Sequence, residues 1–380
     1  MNPYYSGEKE EFRKKVREFA ETEIKPLAQA LDAQETFSVE LTKKMGQQGL
    51  FGIDIPQKYG GQGKDTISYI IAVEEIARVD GSQAATLAAH NSLGASPIYH
   101  FGTEEQKTSM LPDLLNGNKL WAFGLTEITA GSDARGVASE ATKTDDGWSI
   151  NGSKRYITNG SNELMAGITV LAKTGTKNGK PTYSTFIVKR DSPGFSTKRT
   201  LGKMMWRASD TAEITFNNCL IKDSDILGTP EKGLSQMLQT LDSGRLSIAA
   251  MGLGLAQGAF EMALDYAQQR EQFGKKIAGF QAIQFKLADM DLKIELARNL
   301  LYKACWLKDN HQPFGKEAAM AKLYCSEVAA EVSDEGMQIL AGAGLFKNHD
   351  MERFYRDHRI LRIGEGTSEI LKLVISRHLM

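Results

Sequence analysis

Long apolar runs, an excess of one charge sign and closely paired cysteines are all missing from this chain of 380 residues. Since no run of eighteen apolar residues occurs, no membrane span is predicted. Lysine and arginine number 46 against 47 aspartates and glutamates, so electrostatics gives no reason to expect nucleic acid as a partner. Three cysteines, Cys219, Cys305 and Cys325, lie far apart, which is typical of a protein from the reducing cytoplasm.

Metal-ligand spacing and a secretory signal are also missing. The first five residues do not have the charged-then-apolar layout of a signal peptide. The six histidines lack the spacing of a metal site, so metal catalysis is not expected. They are His90, His100, His311, His349, His358 and His378.

What the chain does have is enough material for more than one folded unit. Hydrophobic residues make up 41% of the sequence, which is ordinary for a globular protein and excludes wholesale disorder. Because 380 residues exceed the usual size of a single domain, two or three structural units are expected.

Three regions of different texture follow one another. Residues 1–120 carry apolar residues at helical spacing and predict a helical domain, with helices over 10–28, 66–79 and 82–93. Residues 121–228 contain short β-favouring segments, which predict a compact β domain. Turn pairs separate these segments, among them Asn151-Gly152, Asn159-Gly160 and Asn178-Gly179.

Long helices are predicted again over residues 229–380. From Ile283 to Ala304 the apolar residues alternate at spacings of four and three, which suits an antiparallel bundle. Residues 316–341 are predicted to form another helix of this bundle. The three regions together predict an α+β fold that is mainly α.

One carboxylate near the C-terminus stands out as a candidate base. Glu365 lies between Gly364 and Gly366, which permit unusual backbone conformations and leave room for a ligand. Thr367 is predicted to cap the following helix, with Glu369 in its first turn. Capping does not explain Glu365, which is therefore either a solvated loop acid or a general base.

The stretch 362–370 resembles the catalytic signature of the acyl-CoA dehydrogenases, flavoenzymes that oxidise fatty acyl thioesters. The order of helical domain, β domain and four-helix bundle resembles their architecture over the whole chain. The resemblance implies that Glu365 removes the α-proton of an acyl-CoA, that N5 of FAD accepts the β-hydride and that a trans-2-enoyl-CoA results. It also implies electron transfer to an electron-transferring flavoprotein.

Two segments of the β region resemble the flavin contacts of that family. By pattern alone, 121–133 is a turn-rich loop and 156–160 a strand that ends in a turn. The resemblance implies that Leu125, Thr126, Tyr156 and Thr158 contact the flavin, while Ser132 contacts the acyl-CoA. It likewise assigns Gly364 and Gly366 to the substrate and Thr367 and Glu369 to the cofactor.

Segments of the C-terminal region resemble those that reach the FAD of a neighbouring subunit. Arg270 has a planar guanidinium that suits a pyrophosphate, although an arginine in such a place is usually solvated. If FAD bridges subunits, an oligomer follows, and the family resemblance implies a homotetramer. The residues implied here are Arg270, Gln272, Phe273, Gln281, Gln338 and Gly342.

The stretch 241–245 concerns CoA binding and the identity of the base. Asp242 and Arg245 match positions that contact CoA in the family, while a surface ion pair is the reading from pattern alone. Some relatives carry their base immediately before the arginine, where this sequence has Gly244. Glu365 is therefore the one candidate base.

Two departures from the family pattern concern the acyl group. Gly364 stands where many relatives have an aromatic residue, so the pocket is expected to admit branched, cyclic or other bulky acyl groups besides short ones. Ala84 stands near where glutaryl-CoA dehydrogenase has an arginine, so a dicarboxylate substrate is disfavoured.

Alternative functions remain open from the sequence. An acyl-CoA oxidase is one, although such oxidases usually carry additional C-terminal sequence. Enoyl-CoA reduction as the physiological direction is another, and a non-catalytic helical scaffold is a third. The glycines at 252, 254 and 258 superficially resemble a nicotinamide-dinucleotide loop, but helical patterns on both sides predict close helix packing instead.

Overall fold

The structure is a computed structural model that describes Tyr4 and residues 7–380. Seven α-helices form its N-terminal region within the described residues, and π-helical segments at Ala20–Ile24 and Ala89–Ala95 join two pairs of them. The helices are α1 Gly7–Phe19, α2 Lys25–Gln34, α3 Val39–Gln47, α4 Thr66–Ala77, α5 Gly81–Ala88, α6 Ser96–Phe101 and α7 Glu104–Leu115.

The first helix extends further than the sequence predicts, whereas α4 ends at Ala77, two residues before the predicted end. The predicted helix over 10–28 continues to Gln34, because Pro26 lies in the first turn of α2, where its missing N–H is not needed. Helix α4 is buried along its whole length, and Asp65 caps it by accepting a hydrogen bond from the Ser68 amide. It forms the centre of this helical region.

The central region is one mixed sheet of eight strands. Seven are ordered β6-β7-β3-β2-β4-β5-β8, and β1 pairs in parallel with β4. Their apolar residues form a separate core. The strands are β1 Leu120–Gly124, β2 Glu140–Thr144, β3 Gly147–Thr158, β4 Met165–Lys177, β5 Lys180–Lys189, β6 Phe195–Arg199, β7 Thr211–Ile221 and β8 Ile226–Leu227.

One predicted turn of the β region is wrong. Asn151-Gly152 lies inside β3, where the register with β7 shifts between Ile150 and Gly152. Gly152 has a φ of 143°, and a Cβ there would collide with Ser139, so the glycine serves a bulge rather than a hairpin. Asn178-Gly179, in contrast, does connect β4 to β5.

The C-terminal region consists of long helices and a short hairpin. Helices α8, α9 and α10 pack against one another, and the apolar repeat of α9 faces the shared core. The elements are α8 Gly233–Gln269, β9 Glu271–Gln272, β10 Lys275–Lys276, α9 Gln281–Asp309, α10 Gly315–Leu340, α11 Met351–Asp357 and α12 Ser368–Arg377. We keep the predicted domain boundaries after residues 120 and 228 as a proposal.

Helix α8 runs through the interior and carries the glycines at 252, 254 and 258. A Cβ at these positions would collide with backbone carbonyl oxygens of Cys325, Glu74 and Arg78 respectively, so they allow close helix packing as predicted. Among the described residues α8 alone is long and apolar enough to cross a membrane, and 78% of its most apolar window is buried inside the protein. Core packing therefore accounts for its apolar character.

Candidate active site

Glu365 occupies a strained turn between two helical segments. Its φ is +52° and that of Gly366 is +106°, so a non-glycine residue is held in the left-handed region. The amides of Ile363 and Gly364 both donate to the carbonyl of Ile360, at 2.8 Å each. Thr367 then caps α12 by accepting from the Ile370 amide at 3.3 Å, which confirms the predicted N-cap.

The carboxylate of Glu365 is desolvated. The residue as a whole is partly exposed, but its Oε2 is buried and has no hydrogen-bond partner in the described part of the chain. Burial raises the pKa of Glu365 to about 7, against the opposing cations Lys322 and Arg245. A carboxyl group with that pKa is suited to general base catalysis near neutral pH.

Helix α8 forms one wall beside this carboxylate. A Cβ on Gly244 would overlap Glu365 Oε2 and lie 3.2 Å from Leu93, which belongs to the second π-helical segment. The next residue, Arg245, is buried and pairs with Asp242. The pKa of Asp242 is raised above its ordinary value, because the effect of burial exceeds the opposing effect of the Arg245 cation. Asp242 and Arg245, the predicted CoA contacts, therefore lie within one helical turn of Gly244, which faces Glu365.

Helix α10 forms hydrogen bonds with the turn that carries Glu365. Lys322 is fully buried, and its Nζ donates to the carbonyl of Gly366 at 2.6 Å. Glu327, further along α10, binds both Arg362 and the hydroxyl of Ser368, one on each side of Glu365. The sequence analysis missed Lys322 and Glu327. A lysine inside the small and apolar run Ala318–Cys325 was the available signal.

A buried ion pair supports the loop expected to contact the flavin. Lys154, which has no exposed surface, donates to Glu127 at 2.7 Å and to the carbonyl of Leu125 at 3.4 Å. Glu127 also accepts from Ser139 Oγ at 2.6 Å and from the Ala138 amide at 2.7 Å. Sequence reasoning missed this pair, which ties the loop to strand β3.

The groups near this loop suit the polar edge of a flavin. The hydroxyls of Thr126 and Thr158 are half-buried and make no hydrogen bond to other residues that the structure describes. Tyr156, with a φ of +60°, is 65% exposed. Hydroxyls without a protein partner and an exposed ring are the donor set and stacking surface that an isoalloxazine requires. These residues therefore fit the cofactor.

The remaining predicted site residues are exposed to solvent. Arg270, Gln272 and Phe273 belong to the exposed hairpin after α8, where Phe273 is 93% exposed. No hydrogen bond or ion pair joins them to residues 364–367 within the described chain. Five more predicted site residues are exposed, namely Gln281, Gln338, Gly342, Ser132 and Glu369. Their roles remain predictions.

Metal chemistry has no support from side-chain clustering. Over Tyr4 and residues 7–380 no group of three or more metal-ligating side chains lies together. The arrangement instead combines a desolvated carboxylate, a small-residue wall and a supported hydroxyl-rich loop. Such a site can remove a weakly acidic proton beside a bound planar cofactor.

Comparison with known families gives matches along the chain. The profile of the acyl-CoA dehydrogenase N-terminal domain matches residues 6–118, that of the middle domain residues 122–219 and that of the C-terminal domain residues 231–380.

Curated relatives match over nearly full length. The probable acyl-CoA dehydrogenase YngJ of Bacillus subtilis is 48% identical over 100% of both chains. The short-chain specific acyl-CoA dehydrogenase of Clostridium acetobutylicum is 44% identical over 97% of both. The 3-(aryl)acrylate reductase of Clostridium sporogenes is 41% identical over 99% of this chain and 100% of that protein.

Solved structures share the fold. Butyryl-CoA dehydrogenase from Megasphaera elsdenii superposes with a TM-score of 0.96 at 40% identity, over 100% of both chains. A chain in a structure of the electron transferring flavoprotein of Acidaminococcus fermentans gives 0.95 at 40%, also over 100% of both. An acyl-CoA dehydrogenase complexed with FAD from Bacillus anthracis gives 0.92 at 34%, over 99% of this chain and 67% of that one.

Proposed function

Because this chain belongs to the acyl-CoA dehydrogenase family of FAD-dependent oxidoreductases, we propose that it dehydrogenates a short, branched or cyclic acyl-CoA to the trans-2-enoyl-CoA. Glu365 is the proposed base. The observation that carries the proposal is its buried Oε2, which has no hydrogen-bond partner among the described residues and belongs to a carboxyl whose pKa burial raises to about 7.

Proton removal is the step that this chain's own residues perform. A thioester α-proton is weakly acidic, so its base must be strong and well placed. Desolvation strengthens Glu365 as a base, and the turn between Gly364 and Gly366 fixes its position. The proton moves from the substrate's α-carbon to the Glu365 carboxylate. The backbone N–H of Glu365 is the proposed donor to the thioester oxygen as its charge develops.

FAD, when bound, supplies the acceptor for the hydride equivalent from the β-carbon. Leu125, Thr126, Tyr156 and Thr158 are the proposed contacts of its ring system. The buried pair of Lys154 and Glu127 joins the loop that carries Leu125 and Thr126 to the strand that carries Tyr156 and Thr158. Thr367 and Glu369 are proposed to contact it from the start of α12. These assignments are supported by the partnerless hydroxyls of Thr126 and Thr158 among the described residues.

The substrate's CoA portion and acyl group have separate proposed contacts. Asp242, Arg245 and Ser132 are the proposed CoA contacts, and the buried Nε of Arg245 has no hydrogen-bond partner in the described chain. A Cβ on Gly364 would make only ordinary contacts with Ile360, at 3.7 Å or more, so a side chain could stand here and the glycine omits it. The missing side chain supports a bulky acyl group.

Enoyl reduction is a second candidate for the physiological direction. The relative named 3-(aryl)acrylate reductase is 41% identical over nearly the full length, and its printed activity concerns an aryl-substituted enoyl acid. The absence of a side chain at Gly364 is compatible with such a ring. Both directions use Glu365. Its carboxylate accepts the α-proton in dehydrogenation, and its protonated form returns that proton in enoyl reduction.

We further propose a homotetramer that passes electrons to an electron-transferring flavoprotein in the cytoplasm. Large apolar side chains are exposed on the C-terminal helices and hairpin, an arrangement that marks interfaces. Among them are Phe273 at 93%, Phe285 at 60%, Leu292 at 57% and Leu296 at 52% exposure. The hairpin residues Arg270 and Gln272, with Gln281, Gln338 and Gly342, are proposed to bind the FAD of a neighbouring subunit.

Anaerobic titration of the FAD-loaded protein tests the proposal. Butyryl-CoA, isobutyryl-CoA, cyclohexanecarbonyl-CoA and 3-phenylpropionyl-CoA are each added while the flavin absorbance is followed. Bleaching with formation of the matching enoyl-CoA is expected for at least one of them. No bleaching by any acyl-CoA, and no reoxidation of reduced flavin by the enoyl-CoA esters, would reject the proposed function. In a separate aerobic assay, oxygen consumption during turnover would favour an oxidase.

A further inference from the structure

Lys322 is a lysine in a place that lysines rarely occupy. It lies in the N-terminal third of α10 with no exposed surface, among the buried residues Ala318, Ala321 and Cys325. Burying a charged group costs free energy unless something compensates. Its presence in the core of the bundle therefore calls for a specific partner.

That partner is the backbone of the turn that carries Glu365. The Nζ of Lys322 donates to the carbonyl of Gly366 at 2.6 Å, while no carboxylate forms an ion pair with it in the described chain. An ammonium has three donor hydrogens, so this one bond leaves donor capacity unused. The positive charge consequently stays beside the turn and is not cancelled by a direct salt bridge.

The charged surroundings of this ammonium centre on the proposed base. Glu365 and Glu327 act on Lys322 as anions, and Arg245, from α8, acts as the opposing cation. On the side of Glu365 the charged groups are Lys322 and Arg245, and the buried Tyr69 of α4 also faces it. Lys322 is thus the cation on α10 that faces Glu365.

We propose that Lys322 is a positioning residue for Glu365, which holds the left-handed turn through the Gly366 carbonyl and places a buried positive charge beside the carboxylate. The inference rests on the proposed function, because it concerns the base of that reaction. The cation offsets part of the desolvation of Glu365 without occupying a carboxylate oxygen. A direct salt bridge would hold the carboxylate anionic but weaken it as a base.

Two variants separate the hydrogen bond from the charge. Lys322→Gln keeps a donor and removes the charge, whereas Lys322→Met removes both. Lys316→Met, which changes a partly buried lysine near the start of the same helix, is the matched control. The measurement is the pH dependence of kcat/KM for anaerobic flavin reduction by butyryl-CoA, or by whichever acyl-CoA of the panel bleaches the wild type.

Loss of the cation should raise the pKa of Glu365, so the midpoint of the pH profile should move up by about one unit in both Lys322 variants. At neutral pH the rate should fall by about fivefold and recover partly at higher pH. Lys322→Met should lose a further severalfold at all pH values, because the turn also loses its hydrogen bond. The control should match wild type.

Infrared difference spectroscopy of the Glu365 carboxyl, assigned with Glu365→Gln, gives a readout that does not need turnover. Its protonation midpoint should rise in the same two variants. Wild-type midpoints in Lys322→Gln, by both methods, would overturn the inference even if the rate fell, because only a structural role would remain. If Lys322→Met does not fold, the Gln variant decides. If no acyl-CoA reduces the wild-type flavin and no enoyl-CoA reoxidises the reduced flavin, the proposed function fails and the infrared titration alone decides this inference.

Discussion

Gly244 on α8 and Glu365 on the turn before α12 are so close that a single added carbon at Gly244 would overlap the Oε2 of Glu365. The observed position of the Glu365 carboxylate therefore requires a glycine at position 244. Because Gly244 has no side chain, the carboxylate of Glu365, from a different segment, occupies the space beside α8. The two residues are 121 positions apart in the chain.

Gly244→Ala should displace the carboxylate of Glu365 and slow flavin reduction by about a hundredfold, since small misplacements of a catalytic group are costly. FAD content should not change. Anaerobic stopped-flow absorbance with an acyl-CoA substrate measures the rate. Gly7→Ala, in a helix where a Cβ would meet nothing within 4 Å, is the control. An unimpaired Gly244→Ala enzyme would show that Glu365 has room to move.

Glu365→Gln should stabilise the folded protein at alkaline pH. Burial raises the pKa of Glu365 from 4.5 to about 7, so the folded carboxyl holds its proton between these values while the unfolded one is ionised. Wild-type stability therefore falls as pH rises through this window, and the loss is complete above it. The side-chain amide of Glu365→Gln does not ionise, so the variant does not lose this stability.

At pH 8 the free energy of unfolding of Glu365→Gln should exceed that of wild type by about 3 kcal/mol, with no difference at pH 4. Urea unfolding of the two proteins at both pH values measures this. Glu369→Gln, at an exposed position, is the comparison. Equal stability of wild type and Glu365→Gln at pH 8 would mean that the carboxyl is solvated.

Breaking the buried pair of Lys154 and Glu127 should destabilise the protein and weaken FAD binding. Either Lys154→Met or Glu127→Gln leaves an uncompensated polar partner, at a cost of about 3 to 5 kcal/mol. The double variant should recover part of the stability but not the hold on the Leu125 carbonyl. Thermal unfolding and FAD titration are the measurements, and a double variant worse than the sum of the two would contradict the pairing.

An aromatic side chain at Gly364 should narrow the acyl pocket. Because Gly364 does not have a positive φ and a Cβ there meets only ordinary contacts, Gly364→Tyr should fold. Its kcat/KM for 3-phenylpropionyl-CoA relative to butyryl-CoA should drop by about tenfold or more. If wild type strictly prefers butyryl-CoA and the variant leaves the ratio unchanged, the open-pocket proposal is wrong.

The sequence predicted the elements whose signals are local. The α9 repeat, the Thr367 cap and the packing glycines of α8 are confirmed, because periodicity and capping chemistry depend on a few neighbouring residues. The order of helical, β and helical regions follows from the same local signals, and the family comparisons agree with it.

What the sequence could not supply depends on contacts between distant segments. The pair Asn151-Gly152 is typical of a hairpin turn, but pairing with β7 places it inside the bulged strand β3. Lys154, Lys322 and Glu127 look like ordinary charged residues until the fold buries them. The short strands β2 and β6 carry too few β-favouring residues to be recognised without their partners.

The central claim is that Glu365 is the base, and its replacement by glutamine tests this most directly. Purified, FAD-loaded Glu365→Gln is mixed anaerobically with the acyl-CoA that reduces wild type, and flavin absorbance is recorded by stopped flow. The account predicts unchanged FAD content and reduction at least about a thousandfold slower, since general base catalysis and positioning are lost together. Reduction at the wild-type rate would contradict it.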